Sequence, residues 1–457
     1  MRLGRILIVF TLLSCQKSPP PEVAKPAPTA REPAKTAVGP IRWVDDDLPG
    51  ALASAKAAGK PLFIDAWAPW CHTCLSMRSY VFSDVTLAEL ADRFVWVAVD
   101  TEKPSSADFL AKYPLDVWPT FFIVDPADGE VAGRWLGSMS LQQLRGFLED
   151  GERTVQLAHA GQMKPDDPLA LVRAGDKLAL QGKLAEAASR YAEARAKAPA
   201  DWPRRTEALV GQARALQRAK DYSPCVDLGL SEVARAGNGP NAGDFTSFAL
   251  DCADELPKDD PRVEKMRRAG LDRLLGLETD DKAPLSADDR GDIWRMIWDL
   301  REKLGDADGA KEAAQKRVAL LDDAAAKAPD AQAASTFDWA RAESLLYLGR
   351  GPDAAKLLEK SEAALPDDYN PPSRLARVHY EQKEYGEALA AVDRALAKVY
   401  GPRKGNVLGL KTDILDKQGR KDEARKVAEE RVALYQGLPQ PSPDALAAAK
   451  KRLQALQ

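Results

Sequence analysis

Phe63-Ile64-Asp65-Ala66-Trp67-Ala68-Pro69-Trp70-Cys71-His72-Thr73-Cys74 decides how this chain folds. With Pro61 and Leu62 ahead of it, the run through Trp67 is short, apolar and bounded, the pattern of a buried strand. The two cysteines follow at once and open a helix expected to run from Cys71 to about Tyr80. A Cys-x-x-Cys pair alone serves zinc as readily as redox chemistry, so its surroundings must discriminate. No second cysteine pair or histidine cluster lies nearby to complete a four-ligand zinc site, so metal binding is not expected. At the mouth of a helix, Cys71 feels the positive end of the helix dipole and backbone N–H groups, which favours the thiolate. Cys74 sits one turn further in and is better shielded. Asp65, an acid inside an apolar strand, needs a reason to be there.

Working outward, Asp45 to Ala58 is helical in composition and stops at Gly59. A second helix is expected from Ser83 to Arg93, capped by Ser83 or Asp84, and a third from Ser105 to Lys112. Phe94 to Asp100, Thr120 to Asp125 and Glu130 to Leu136 read as strands, the last two joined at Ala127-Asp128-Gly129. Ser140 to Glu149 is expected to be the final helix. This order predicts a small α/β domain with a central sheet over residues 42–152.

The quoted stretch resembles the active-site strand and turn of the thioredoxin superfamily, and Trp118-Pro119-Thr120 resembles that family's cis-proline loop. The tract from Cys74 through Tyr80-Val81-Phe82-Ser83-Asp84 is most similar to the C-terminal thioredoxin domain of DsbD-type thiol:disulfide interchange proteins. The resemblance covers about a quarter of the chain. It implies Cys71 as attacking thiolate, Cys74 as resolving thiol, and Asp65 as the buried acid that assists proton transfer at the second cysteine. It implies a cis peptide before Pro119, beside the disulfide, with backbone offered to an extended substrate. Trp70, His72, Thr73, Trp118 and Thr120 would line the active-site loop, Trp67 and Trp70 chiefly as packing. His72 is either a solvated bystander or a cation that depresses the Cys71 pKa. Three departures stand out: the lysine that many thioredoxins place opposite the buried acid is replaced by Trp96, the intervening dipeptide is His72-Thr73 instead of Gly-Pro, and Trp118 is large for its place. These residues do not fix the direction of electron flow; the DsbD-like tract favours a reductase or an electron relay.

Arg2 and Arg5, the apolar stretch Ile6 to Leu13, and then Ser14-Cys15 read as an export segment. Leu12-Leu13-Ser14-Cys15 resembles the lipobox of bacterial lipoproteins, which implies acylation of Cys15 and a bacterial cell-envelope location, tethered and facing the periplasm; the alternative is an ordinary cleaved secretory signal. Eight apolar residues fall well short of the roughly 20 that span a bilayer. Residues 16–41, rich in Pro, Ala and Lys, predict a solvated tether reaching roughly 60 to 80 Å at about 3.1 Å per residue. Of five cysteines, Cys15, Cys71 and Cys74 are then accounted for; Cys225 and Cys252 are either a structural bridge or two independent buried thiols. The net charge of −4, from 65 basic and 69 acidic residues, argues against a nucleic-acid partner.

At 457 residues the chain exceeds one core, and from about Pro168 strands vanish. Gly-containing turns recur at Gln181-Gly182, Leu304-Gly305, Leu348-Gly349, Tyr385-Gly386 and Gln418-Gly419, while Pro329, Pro366, Pro402 and Pro439 close successive units. The pattern resembles the tetratricopeptide repeat, whose unit is about 34 residues, and predicts an all-α solenoid over residues 153–457 with a poor match from Ala236 to Asp289. Trp294 and Trp298, four apart, read as core.

The expected function is thiol:disulfide oxidoreduction on protein disulfides without metal or organic cofactor, with the repeats engaging a substrate or redox partner protein. A non-catalytic scaffold using the thioredoxin fold only for docking is the competing reading. Metal or haem delivery through Cys71, His72 and Cys74 is disfavoured, because residues so close in sequence make tetrahedral ligation awkward.

Overall fold

A computed structural model describes residues 35–456; the expected export segment with Cys15, and the tether up to residue 34, lie outside the described residues. A six-stranded sheet is built from β1 (Lys35–Val38), β2 (Ile41–Asp45), β3 (Leu62–Trp67), β4 (Val95–Asp100), β5 (Thr120–Val124) and β6 (Val131–Leu136). Its order is β1-β2-β4-β3-β5-β6. β2, β4 and β3 run parallel, whereas β1, β5 and β6 are antiparallel to their neighbours. The expected tether therefore ends sooner than residue 41, because Lys35–Val38 pairs with Ile41–Val44 as an edge strand.

β3 is central, and its alternation explains both layers. Leu62, Ile64 and Ala66 face one side, packed with Ala51, Ala55, Phe109 and Phe122. Phe63 faces the other, among Trp43, Phe82, Trp96, Phe121 and Phe147. A period of two puts Asp65 and Trp67 on the Phe63 face.

The helices of this part are α1 (Leu48–Ala58), α2 (His72–Ser76), α3 (Ala88–Ala91), α4 (Ala107–Lys112) and α5 (Leu141–His159). α1 starts later than expected because Asp45 stays in β2 and Asp47 caps the helix, accepting from the Gly50 N–H. α2 is continued by one π-helical turn, Met77–Val81. The helix expected over 83–93 is broken into a 3-10 turn, Val85–Leu87, and the short α3, with Asp84 as cap of the former. α5 runs ten residues beyond its expected end and through the expected domain boundary at residue 152. Ser140 and Gln143 close a capping box at its start, and nothing in its apolar stripe of Leu144, Phe147, Leu148, Gly151 and Val155 breaks the helix. His159 pins the last turn to Asp125 at 2.6 Å.

Among the described residues sixteen α-helices then run from Pro168 to Gln454. They pair as antiparallel hairpins, such as Pro168–Leu180 with Leu184–Lys197, and Ala287–Lys303 with Ala307–Ala326. Gly182, Gly305, Gly349 and Gly419 take left-handed backbone, φ 74° at Gly182 and 75° at Gly419, which a side chain would strain; Gly386 instead lies in the helix Tyr385–Leu396, and Lys383, at φ 64°, makes that turn. The segment Ala236–Asp289, a poor repeat by sequence, still forms helices Pro240–Asp254 and Pro261–Thr279. Pro402 does not close a helix; it stands in the first turn of Gly401–Lys417, where its missing N–H costs nothing. Trp298 is buried, and Trp294 packs half-buried on the same core.

Cys225 and Cys252 are bridged, with Cα atoms 6.1 Å apart, and tie the helix Tyr222–Glu232 to Pro240–Asp254. Closing a separation of 27 residues should stabilise the fold by about 3 to 4 kcal/mol through chain entropy. Replacing both cysteines by alanine is therefore expected to lower the denaturation midpoint in guanidinium while leaving the Cys71–Cys74 chemistry unchanged.

Candidate redox site

Cys71 and Cys74 are joined in a disulfide, with Cα atoms 5.2 Å apart. Cys71 is the N-cap of α2, and its Sγ accepts the Cys74 N–H at 3.0 Å. The cap geometry follows from the quoted sequence. β3 ends at Trp67, the Cys71 N–H donates to the Ala68 carbonyl, and the helix begins at once with the Leu75 N–H on the Cys71 carbonyl. A sulfur in this place receives a backbone donor on reduction, which stabilises its anion.

Asp65 sits at the heart of the sheet, paired in register with Ala98 of β4 and Phe121 of β5. It is buried, and its Oδ1 has no hydrogen-bond partner among the described residues. Burial pushes its pKa up to about 7, the nearby Arg78 pulling it down and Asp45 adding to the rise. An acid held at that value exchanges its proton at neutral pH.

The Trp118–Pro119 peptide is cis, and Thr120 lies opposite Ala66 at the start of β5. Trp118 is held by its indole N–H on the Thr101 hydroxyl at 2.9 Å and packs on Trp70 at 5.5 Å between ring centroids. Trp67, Trp70 and Trp118 together wall the disulfide. Trp96, in the place of the expected lysine, is buried against Phe63 and donates its indole N–H to the Ala91 carbonyl.

The helical hairpins close over this wall. Asn370 donates to the Pro69 carbonyl at 3.0 Å. Glu102 accepts the Trp70 indole N–H at 2.8 Å and the Arg403 backbone N–H at 2.6 Å, while the Arg403 guanidinium lies 5.5 Å from the Trp70 ring. Tyr400 donates its hydroxyl to Asp100. On the other flank the His72 Nδ1 is 2.9 Å from Asp288, and Tyr80 donates to the Ala333 carbonyl at 3.2 Å. Cys71, packed against Trp67, Trp70 and Trp118, is only 4% exposed.

Thr73 approaches the His72 ring at 3.5 Å and makes no closer side-chain bond among the described residues. Glu102, Asn370, Arg403, Asp288 and Asp292 went unmarked in the sequence, since they lie 31 to 332 positions from Cys71 and no spacing connects them to it. His72, Asp288 and Asp292 are the one set among the described residues whose ligand atoms converge, within 4.8 Å of one another. The Arg317 guanidinium, 3.8 Å from Asp292, already supplies positive charge there, which weighs against a resident ion.

Gly401 marks the closest approach. Its φ is +61°, and a Cβ there would run into the Glu102 backbone carbonyl. Gly401→Val is expected to push this helix off Glu102 and to accelerate reduction of the Cys71–Cys74 bridge by dithiothreitol severalfold, followed by stopped-flow tryptophan fluorescence.

Residues 42–126 match the Thioredoxin-like family model. A thiol:disulfide interchange protein DsbD from Cronobacter sakazakii is 33% identical over 142 residues, 30% of this chain and 24% of that protein. A thiol:disulfide interchange protein DsbE from Tatumella citrea is 30% identical over 125 residues, 26% of this chain and 60% of its own length. The chain thus spans about a quarter of the DsbD relative. Of solved structures, a tetratricopeptide repeat protein from Parabacteroides merdae superimposes with a TM-score of 0.41 at 13% identity, over 63% of this chain and 98% of that one. The segment that holds Asp65, Cys71, Cys74 and the cis Trp118–Pro119 peptide is therefore a thioredoxin-like domain, borne by a chain whose described elements from Pro168 onward are helical.

Proposed function

We propose that this protein is a thiol:disulfide oxidoreductase acting on protein disulfides. One observation carries the reading: a bridged cysteine pair at the mouth of a helix, beside a cis proline loop, in a domain that also buries an acid with an unbonded oxygen and a pKa of about 7. In the reductive direction the Cys71 thiolate attacks one sulfur of a substrate disulfide, and the other leaves as a thiolate. Asp65 takes the Cys74 proton, directly or through water, and Cys74 attacks the mixed disulfide at the Cys71 sulfur. The Cys71–Cys74 bridge forms, and the second substrate thiol departs reduced. Two electrons pass from the pair to the substrate, and neither a metal nor an organic cofactor enters the cycle. A protein dithiol returns the pair to its reduced form.

The repeat domain serves protein partners, either the substrate or the electron donor, and Cys15 carries a lipid that holds the protein at the bacterial cell envelope. These finer assignments rest on the export-like segment and on the resemblance to disulfide-interchange proteins. The test is insulin reduction by the full-length protein with dithiothreitol, together with the Cys71/Cys74 equilibrium against glutathione. Turnover above the dithiothreitol background is expected, and none at all would overturn the reading.

The burial of Cys71 beneath Asn370 and Arg403 favours a second reading, a scaffold whose thioredoxin fold only docks partners. In that case the pair would stay oxidised in reducing glutathione buffer and insulin would remain intact.

A further inference from the structure

We propose that Asp288, supplied by the repeat domain, is a positioning residue of the redox site: it holds His72 as an imidazolium beside Cys71 and thereby raises the reduction potential of the Cys71–Cys74 pair. The proposal rests on the redox reading above, and it gives the helical hairpins a part in the chemistry besides partner binding.

Asp288 is held in place. It lies in the first turn of Ala287–Lys303, whose start is closed by a capping box between Ser286 and Asp289. The other oxygen of Asp289 takes the Ser138 hydroxyl of the thioredoxin-like part at 2.6 Å, so this helix end is fastened to the loop after β6. Asp288 is 4% exposed; its Oδ1 meets His72 Nδ1 at 2.9 Å and its Oδ2 has no partner among the described residues. His72 Nε2 is 3.8 Å from Asp292. Both ring nitrogens thus face carboxylates, an arrangement that suits a ring carrying two protons.

The other charged groups around the ring do not reverse this. Arg317 opposes the imidazolium, but its guanidinium is engaged by Glu343 at 2.6 Å and by the Gly291 carbonyl at 2.9 Å. Asp289 and Asp244 are half-buried and have raised pKa values, the desolvation of each being the main cause. Thr73 and Tyr80, on the helical run that carries His72, are neutral at pH 7. Burial of the ring works against its charge, yet Asp288 and then Asp292 outweigh it and hold His72 at about 9. The ring is then charged at neutral pH, next in sequence to a sulfur that is anionic only in the reduced protein. A fixed cation there stabilises the thiolate over the disulfide.

Asp288→Asn in the full-length protein tests this by equilibration with glutathione at pH 7.5. Loss of the imidazolium should shift the equilibrium about tenfold towards the disulfide, which is about 30 mV for a two-electron couple. His72→Gln should produce the same shift, Asp288→Glu should restore most of it, and Asp288→Asn should add less than about twofold in the His72→Gln background. With only three histidines in the sequence, NMR titration can follow His72 itself, whose midpoint should fall from about 9 towards its ordinary range in Asp288→Asn. An unchanged midpoint overturns the proposal even if the variant is poorly stable. An equal shift with and without His72 also overturns it, because Asp288 would then act by another route. A wild-type pair that fails to equilibrate with glutathione sinks the redox reading itself and the proposal with it.

Discussion

Cys74→Ser should turn the protein from a catalyst into a covalent trap. The Cys71 thiolate can still open a substrate disulfide, but no second thiol displaces the product, so mixed disulfides accumulate and insulin turnover falls by about 10³-fold or more. Cys71→Ser removes turnover and trapping together, since Cys71, not Cys74, is the N-cap whose Sγ accepts a backbone N–H. Non-reducing gels of the two variants, incubated with scrambled ribonuclease, separate the roles. Equal trapping by both would overturn the assignment of Cys71 as nucleophile. The cover over Cys71 adds a demand on the substrate, because a foreign sulfur must come in line with a group screened by Trp70, Trp118 and residues of two helical hairpins. Either the contacts of Asn370 and Arg403 part, or the partner enters as a single extended strand.

Asp65→Asn carries the second large effect. A carboxyl near pKa 7 accepts the Cys74 proton increasingly as the pH rises through 7, so the resolving step of the wild type should quicken across that range. The asparagine variant should lose this inflection and run about 10²-fold slower at pH 7.5, the lower end of what a positioned acid–base group contributes. Rapid-quench measurement of mixed-disulfide decay against pH reads it directly, and an unaltered profile would show that Asp65 has no part in proton transfer. Stability should move the other way. The folded protein keeps the Asp65 proton between the ordinary carboxylate value of 3.8 and about 7 while the unfolded chain has released it, so this residue's contribution to stability falls as pH rises through that window. Asp65→Asn should then be at least as stable as the wild type above pH 7, where the native carboxylate is ionised with no hydrogen-bond partner for Oδ1 among the described residues.

The thioredoxin-like part could be read from sequence because its signals are local. An apolar strand, a pair of cysteines one helical turn apart and a Trp-Pro-Thr loop each announce themselves within a dozen residues, and the fold puts them where that reading requires. The element ends were less legible. The helix expected over 83–93 gives way to a 3-10 turn and a short helix, and α5 overruns residue 152, because its apolar stripe continues through Gly151 and Val155 with nothing to break it. In the repeats four of the five turn glycines were read correctly, but Gly386 and Pro402 were misplaced, since a glycine or proline just outside one helix and one in the first turn of the next look alike in sequence.

Sequence alone therefore determined the two fold types, their order and the place of the cysteine pair at the mouth of a helix, all of which depend on periodicities and spacings short enough to be written in consecutive residues. Tertiary structure alone decided that the hairpins bend back over the disulfide, that Asn370, Arg403 and Asp288 stand around it, and that His72 faces two acids. Contacts across 216 to 301 positions arise from how a solenoid curves, and that is the sum of many small packing angles that no single stretch of residues encodes.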